Sequence, residues 1–459
     1  MLAVHSGILL TVAATTSVAD NSNAARAGWH ISKYNLYANV PGTDRVAIAN
    51  LFKGTFSDYG AFDIYALNAL DELPEDHPLV VRLAERGLIA NFDELEALKT
   101  LARDFCSRGR AAGLTICPTM GCNFDCPYCF EDHIPGFMTK EVQDDVVALV
   151  KRMTEANGAK TLHINWFGGE PLLAPDIIDS LSQRLISFAD DNSIKYSAAI
   201  ITNGYLLDQS VVDMLARSRV ISAQITLDGV GADHDATRHL AGGGPTFERI
   251  TDNLRKLKIP FKVRIRQNIH EGNKDTADDL KAYVDALREE SGNDITYYAA
   301  QVTTSDNCSD DIETLCGSGS SDIGIKKAVD KFVACRGGFC GANTIYHVGV
   351  DEKGNLQKCW ENVDKPNKSF GTASRWDPAD PVATADHPDK LTCYLNSWPI
   401  EDKECLDCIW LPACAGSCPD RLISYGKRDC LPYRDEPEKY VLALYEQLMR
   451  KRRNENNQL

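Results

Sequence analysis

The chain has 459 residues and 44 % apolar content, enough for two or three buried cores, and its net charge of −16 leaves basic residues bunched only at Arg450 to Arg453. That charge excludes a nucleic-acid-binding surface, and no run is apolar and long enough to cross a membrane. Sixteen cysteines in a chain of this size speak for metal chemistry rather than a disulfide scaffold, and so for a reducing, cytoplasmic setting.

Residues 7 to 20, GILLTVAATTSVAD, have the apolar run and small-residue end of a signal segment, but no Lys or Arg precedes them. Residues 1 to 28 are therefore expected to be a disordered or over-long start. From 29 to 108 the pattern predicts three short strands, Lys33 to Val40, Val46 to Leu51 and Thr55 to Asp58, then helices over Phe62 to Leu73, His77 to Arg86 and Asp93 to Ser107. This small α+β unit resembles the winged-helix leader-recognition domain of peptide-modifying enzymes. An N-terminal extension packed on the next domain fits the same residues.

Apolar strands then alternate with amphipathic helices, which argues an α/β fold with a parallel sheet and helices outside. The strands are predicted at Leu114 to Thr119, Thr161 to Phe167, Tyr196 to Thr202, Ser222 to Leu227, Phe261 to Ile269 and Ile295 to Val302. Helices are predicted between them at Thr139 to Ala156, Asp176 to Ala189, Gln209 to Ser218, Thr246 to Lys258 and Lys274 to Glu290. Six strands with five crossovers fit an open (β/α)6 barrel over 109 to 304, followed by a linker and helix over 305 to 334.

The chemistry centres on ICPTMGCNFDCPYCF, Ile116 to Phe130, just after the first barrel strand, where barrel sites are built. Cys122, Cys126 and Cys129 put three thiols in one loop, and a four-iron cube bound by three thiolates keeps one iron open for an outside ligand. Three reduced cysteines in a core, or a zinc completed by His133, would fit the same residues. The C-x3-C-x2-C spacing with Tyr128 before the last cysteine resembles the signature of radical S-adenosylmethionine (SAM) enzymes, in which SAM chelates the open iron.

That resemblance implies further site residues. Gly168-Gly169-Glu170 after the second strand is similar to the family's GGE motif, which accepts from the SAM ammonium. Thr226 and Asp228, in TLDG where relatives carry SxDG, would contact the SAM ribose and carboxylate, and Arg238 and Arg266 are the cations placed for a carboxylate. The same residues also suit a turn, a cap and surface ion pairs. No catalytic residue is assigned.

From Cys335 the helices fade and cysteines crowd. GANTIYHVGVDEKGNLQKC predicts a hairpin turning at Asp351 to Gly354, and Cys405-x2-Cys408-x5-Cys414-x3-Cys418 follows, with Cys430 beyond. Isolated CxxC pairs of this kind also suit structural zinc. Over 335 to 433 the pattern resembles the SPASM domain of radical SAM enzymes. The resemblance implies two auxiliary four-iron clusters, one on Cys340, Cys359 and Cys418 with Cys335, the other on Cys405, Cys408, Cys414 and Cys430. Cys106, Cys117, Cys308, Cys316 and Cys393 fit no ligand pattern. A basic-ended amphipathic helix closes the chain over 434 to 459.

The expected cofactors are thus three 4Fe-4S clusters and SAM, and the expected partners a precursor peptide and a reductant such as flavodoxin or ferredoxin. The expected activity is reductive cleavage of SAM to a 5′-deoxyadenosyl radical that installs a cross-link, a thioether from cysteine sulfur to carbon, in a ribosomally made peptide. The alternatives are formylglycine formation of the sulfatase-maturing type, or a carbon–carbon or carbon–oxygen cross-link. Sulfatase-maturing relatives carry an Asp directly after the equivalent of Cys359; this chain has Trp360 there, then Glu361.

Overall fold

The computed structural model describes residues 28–60, 63, 64, 67, 70, 73–107, 111–270, 272–302 and 339–456. Most of the predicted helix Phe62 to Leu73, the linker stretch, and Cys308, Cys316 and Cys335 lie outside them.

The central sheet is built by β6 (Ala111–Ile116), β7 (Thr161–Trp166), β8 (Lys195–Thr202), β9 (Val220–Thr226), β10 (Lys262–Ile269) and β11 (Ile295–Gln301), each parallel to the next. Helices α3 (Lys140–Asn157), α4 (Pro175–Asp191), α5 (Gln209–Arg217), α7 (Phe247–Lys256) and α8 (Ala277–Ser291) return the chain between strands, with a short α6 (Ala232–Asp235) ahead of α7. The strands bury Leu114, Ile164, Trp166, Ile200, Ile225 and Ile265 against helix residues such as Val146, Val150, Leu181 and Leu185, one continuous core. β8 carries the apolar run expected of a parallel sheet covered by helices, whereas β7 and β10 alternate buried with more exposed residues. The first strand ends at Ile116, three residues before its predicted end, because beyond it the Cys117 N–H pairs with the Val350 carbonyl and Pro118 begins the loop.

The hairpin after residue 339 does more than its pattern predicted. Its strands β12 (His347–Val350) and β13 (Asn355–Gln357) pair antiparallel around Asp351 to Gly354, and β12 also lies parallel to β6. With β14 (Gly371–Thr372), nine strands form one sheet among the described residues, in the order β11-β10-β9-β8-β7-β6-β12-β13-β14. The cysteine-rich part is thereby hydrogen-bonded onto the edge of the barrel that carries the Cys122 loop. Short helices α9 (Pro388–Leu395), α10 (Lys403–Asp407), α11 (Leu411–Cys414) and α12 (Pro419–Tyr425) follow, then α13 (Pro437–Asn456).

At the front, β2 (Asn35–Asn39), β3 (Arg45–Asn50) and β4 (Thr55–Gly60) make an antiparallel sheet, and β1 (His30–Ile31) pairs with β5 (Ile89–Ala90). Helix α1 (Pro78–Arg86) ends at Gly87, whose φ of 74° is left-handed, and at the start of α2 (Glu94–Ser107) the Glu96 N–H donates to Asp93 at 3.0 Å. Alternation puts Val46 and Ile48 on one face with Leu79, Val80 and Leu83 of α1. The other face, Leu36, Ala38, Ala47 and Ala49, packs against Trp410 and against Val441 and Leu444 of α13. The two ends of the chain therefore share one core, while a second core on the other face of the sheet lies wholly within the N-terminal part.

Leu444 is 2 % exposed in that shared core. Leu444→Ala is expected to cost about 2–5 kcal/mol and to open residues 28–107 to limited proteolysis ahead of the barrel. Unchanged protease resistance of that segment would show that α13 does not hold the sheet.

Candidate active site

At the C-terminal ends of the parallel strands lies a cavity of about 260 Å³. Cys122, Cys126 and Cys129 line it, together with Gly168 and Gly169 after β7, Thr202 at the end of β8 with Asn203 after it, and Thr226, Arg238 and Arg266. Trp360, Glu361 and Arg421 of the cysteine-rich part line the same space. The site thus spans two stretches of chain joined by the β6–β12 pairing.

The two glycines are needed because the turn after β7 lies directly on the cysteine loop. A side-chain carbon at Gly168, whose φ is +113°, would fall 2.2 Å from the Thr119 carbonyl oxygen, and one at Gly169 2.4 Å from that of Met120. The Glu170 N–H donates to the Gly121 carbonyl at 2.9 Å, which locks turn to loop. Glu170 itself is fully buried and spends its carboxylate on the protein. It accepts from Thr202 Oγ1 at 2.6 Å, from the Asn203 N–H at 2.7 Å and from the Leu172 N–H at 2.9 Å. Burial raises its pKa, while these bonds favour the charged form. Asn203 Nδ2 continues the network to Asn123 Oδ1 at 2.7 Å inside the cysteine loop.

Asp228 is also fully buried and acts as a second tie. It accepts from the Tyr128 hydroxyl, from Thr237 Oγ1 at 3.1 Å and from the Asn268 N–H at 3.2 Å, so it fixes the residue between Cys126 and Cys129 to the ends of β9 and β10. Arg238 lies over the Phe124 ring at 5.7 Å and donates to Tyr128 Oη at 3.0 Å, yet its buried Nε has no partner. Arg266 Nε donates to Asn268 Oδ1 at 2.8 Å. Of the residues expected at a SAM site, Gly168, Gly169, Thr226, Arg238 and Arg266 face the cavity, whereas Glu170 and Asp228 brace its wall from behind.

Burial pushes the Cys122 thiol up to about 12 and raises Cys126 and Cys129 as well. Thiolates form there only with a strong positive partner such as a metal centre. The Phe124 N–H already points at Cys122 Sγ at 3.4 Å, and Cys129 Sγ lies 3.2 Å from His133 Nε2. Among the described residues, no three His, Cys, Asp or Glu side chains converge tightly enough for one metal ion. The cysteines gather at larger spaces instead.

Cys405, Cys408, Cys414 and Cys430 line a second, small cavity. The other set is drawn together by Asn362, three residues after Cys359, which donates to Asp420 at 2.7 Å, two residues after Cys418. Lys358 is buried beside Cys359 within electrostatic reach of Cys340. Cys117 is wholly buried and Cys393 is exposed, both outside these groups.

Sequence reasoning missed Glu131 and Asp364. Glu131 is 8 % exposed on the cavity wall and Asp364 is 4 % exposed, and each keeps one carboxylate oxygen without a partner. Burial pushes the Glu131 carboxyl up to about 8 and raises Asp364 too. No spacing rule marks either residue.

Glu170→Gln places an amide before three donors, which leaves one of them facing another donor in a dry site and is expected to cost about 1–3 kcal/mol of stability. The check is thermal unfolding of the metal-free protein. A change confined to SAM affinity, with unfolding unmoved, would show that Glu170 is a ligand contact rather than a brace.

Residues 116–287 match the family model described as the Radical SAM superfamily. The chain is 29 % identical over 154 residues to the cysteine-type anaerobic sulfatase-maturating enzyme of Clostridium perfringens, covering 31 % of this chain and 40 % of that protein. It is 30 % identical over 142 residues to the mycofactocin maturase MftC of Mycobacterium ulcerans, covering 30 % of this chain and 34 % of that protein. The chain thus matches less than half the length of these relatives. Among solved structures, native anSMEcpe with bound AdoMet and Cp18Cys peptide superposes with a TM-score of 0.53 at 20 % identity, covering 75 % of this chain and 99 % of that one, which is a likeness of fold.

Proposed function

Because residues 116–287 carry a radical SAM domain, we propose that the chain is a radical SAM maturase that installs a thioether, from cysteine sulfur to carbon, in a ribosomally made peptide. The observation that carries this reading is the shared cavity, where the three-cysteine loop, the Gly168-Gly169 turn, Thr226 and Arg238, whose buried Nε has no partner, line one space. A cation with a buried free donor beside a three-thiol loop suits a bound carboxylate, as SAM presents one. Cys122, Cys126 and Cys129 would hold the four-iron cluster. Gly168 and Gly169 bring backbone close to the SAM amino acid, Arg238 and Arg266 receive its carboxylate, and Thr226 its ribose.

When bound, that pair supplies a carbon radical that removes a hydrogen atom from the substrate. The protein's share is to hold the peptide and keep water out. Phe167 and Trp360 meet edge-on at 5.0 Å, and Phe130 closes the wall at 6.2 Å from Trp360. Joining sulfur to carbon removes a hydrogen atom from carbon and a proton from sulfur, and frees one electron. Cys340, Cys359 and Cys418 with Cys335, and Cys405, Cys408, Cys414 and Cys430, are proposed to seat two further clusters of a SPASM domain, which offer that electron an acceptor.

The peptide substrate rests on softer support. One relative is named for maturing a sulfatase, and the structural neighbour carries a peptide. The small front sheet, proposed as a winged-helix-like leader site, has β4 paired only with β3 among the described residues, an edge that an extended leader would extend. The chief second reading, formylglycine formation, is favoured by the sulfatase-maturating relative and by Glu361 on the cavity wall beside Trp360. A flavodoxin or ferredoxin is the proposed reductant.

Anaerobically reconstituted protein is expected to hold about twelve irons per chain, about four for each of three clusters. Replacing Cys122, Cys126 and Cys129 by Ala should remove about a third of that iron and abolish SAM cleavage. With a cognate precursor, a thioether appears as the loss of two hydrogens per bond and an unreactive cysteine. A hydrazide-reactive aldehyde would select the formylglycine reading, and an enzyme that fails to cleave SAM when reduced would overturn both.

A further inference from the structure

The two auxiliary cysteine sets sit in different electrostatic surroundings, each with both signs of charge: Lys358 is buried beside Cys359 within reach of Cys340, and Glu404 and Asp402 stand near the second set. Beside Cys359 and Cys418 stand the carboxylates of Glu361 and Asp420, the latter accepting from Asn362 and from the Tyr394 hydroxyl. Two guanidiniums, Arg428 and Arg434, line the cavity of Cys405, Cys408, Cys414 and Cys430. They do different work. Arg428, its side chain 10 % exposed, gives Nε to Asp402 at 2.6 Å and its other donors to the carbonyls of Gly416, Ser397 and Trp398 at 3.0, 3.2 and 3.3 Å. Its charge is paired with Asp402, and Cys405 also lies within its electrostatic reach.

Arg434 instead aims at the sulfur. Its Nη1–H donates to Cys430 Sγ at 3.4 Å, and Cys408 also lies within its electrostatic reach. The residue is anchored from behind, because Trp410 Nε1 donates to the Arg434 carbonyl at 2.9 Å and the Trp410 ring packs edge-on against Tyr433 and Tyr440 at 5.2 Å each. Reduction adds one negative charge to an iron–sulfur cluster. A fixed cation and an N–H···S bond favour the reduced form and raise the potential, while neighbouring carboxylates lower it.

We propose that Arg434 is a redox-positioning residue, which acts through Cys430 to hold the cluster on Cys405, Cys408, Cys414 and Cys430 at a higher potential than that cluster would have without it. The inference rests on the two-auxiliary-cluster reading given above.

The test is a potentiometric titration with dithionite and mediators, followed by electron paramagnetic resonance, on the full chain reconstituted without SAM. Cys122, Cys126 and Cys129 are replaced by Ala so that only the auxiliary signals remain. In that background Arg434→Gln is expected to move one auxiliary signal to more negative values and leave the other in place, while Arg434→Lys, which keeps the charge, retains most of that signal's original potential. Iron content should stay at about eight per chain in each. A full complement of iron with no shift in Arg434→Gln overturns the proposal alone. Iron lost in Arg434→Gln and restored in Arg434→Lys with no difference in potential from the unsubstituted background also overturns it, because Arg434 would then serve only assembly. Absence of C-terminal iron from the parent protein removes the auxiliary clusters themselves, and with them both readings.

Discussion

The site depends on one close approach: the turn after β7 pressed against the cysteine loop, with the Glu170 N–H on the Gly121 carbonyl and no room for a side chain at Gly168 or Gly169. Everything that makes the cavity follows from that contact. Once the turn is seated, the Glu170 carboxylate lies beneath the sheet ends, and Thr202, Asn203 and Leu172 must supply its hydrogen bonds because no water reaches it. Asn203 then reaches Asn123, and the loop is held from two strands at once. Asp228 repeats the device through Tyr128. Two buried carboxylates thus help fix the three cysteines, and a loop interrupted by Pro118, Gly121 and Pro127 keeps one shape without belonging to a helix or strand.

Much of this was legible in the sequence, for identifiable reasons. The parallel sheet could be read because apolar stretches such as Ala198 to Ile201, and alternating ones such as Leu162 to Trp166, are separated by helices whose apolar faces recur at helical spacing. The cysteine loop could be read because three thiols in eight residues have few chemical uses. The direction of a buried side chain could not be read. Glu170 sits in a motif that resembles a ligand contact, yet folding turns its carboxylate toward Thr202; the sequence holds both partners but not the angle between β7 and β8. Glu131 and Asp364 are hidden for a related reason, since they are 233 positions apart and meet only when β12 docks on β6.

That docking is itself invisible to pattern reasoning. A strand of four residues, His347–Val350, carries too little periodicity to announce a parallel partner, and its pairing with β6 is settled by shape. A side-chain carbon at Gly113 would lie 2.3 Å from the His347 ring, so only glycine in β6 admits the hairpin there. The consequence reaches the chemistry. With β12 fixed, Trp360 lands on Phe167, and the cysteine-rich part becomes a wall of the same cavity rather than a domain on a tether.

The chain's two ends complete the same logic on the far side. The front sheet cannot bury both faces by itself: α1 covers Val46 and Ile48, and Leu36, Ala38 and Ala49 are left to Trp410 and α13. Trp410 lies between Cys408 and Cys414 and also holds the Arg434 carbonyl, so one ring touches the N-terminal sheet's core, the C-terminal helix and the second cysteine cavity. Lys33 Nζ adds a direct tie from the front segment to the Leu406 carbonyl at 2.7 Å, within the Cys405–Cys408 turn. Ligands drawn from distant positions already make a metal domain's order depend on its metal. On the proposed two-cluster reading the front sheet would share that dependence, because the residues that close its open face are the ones that shape the four-cysteine cavity.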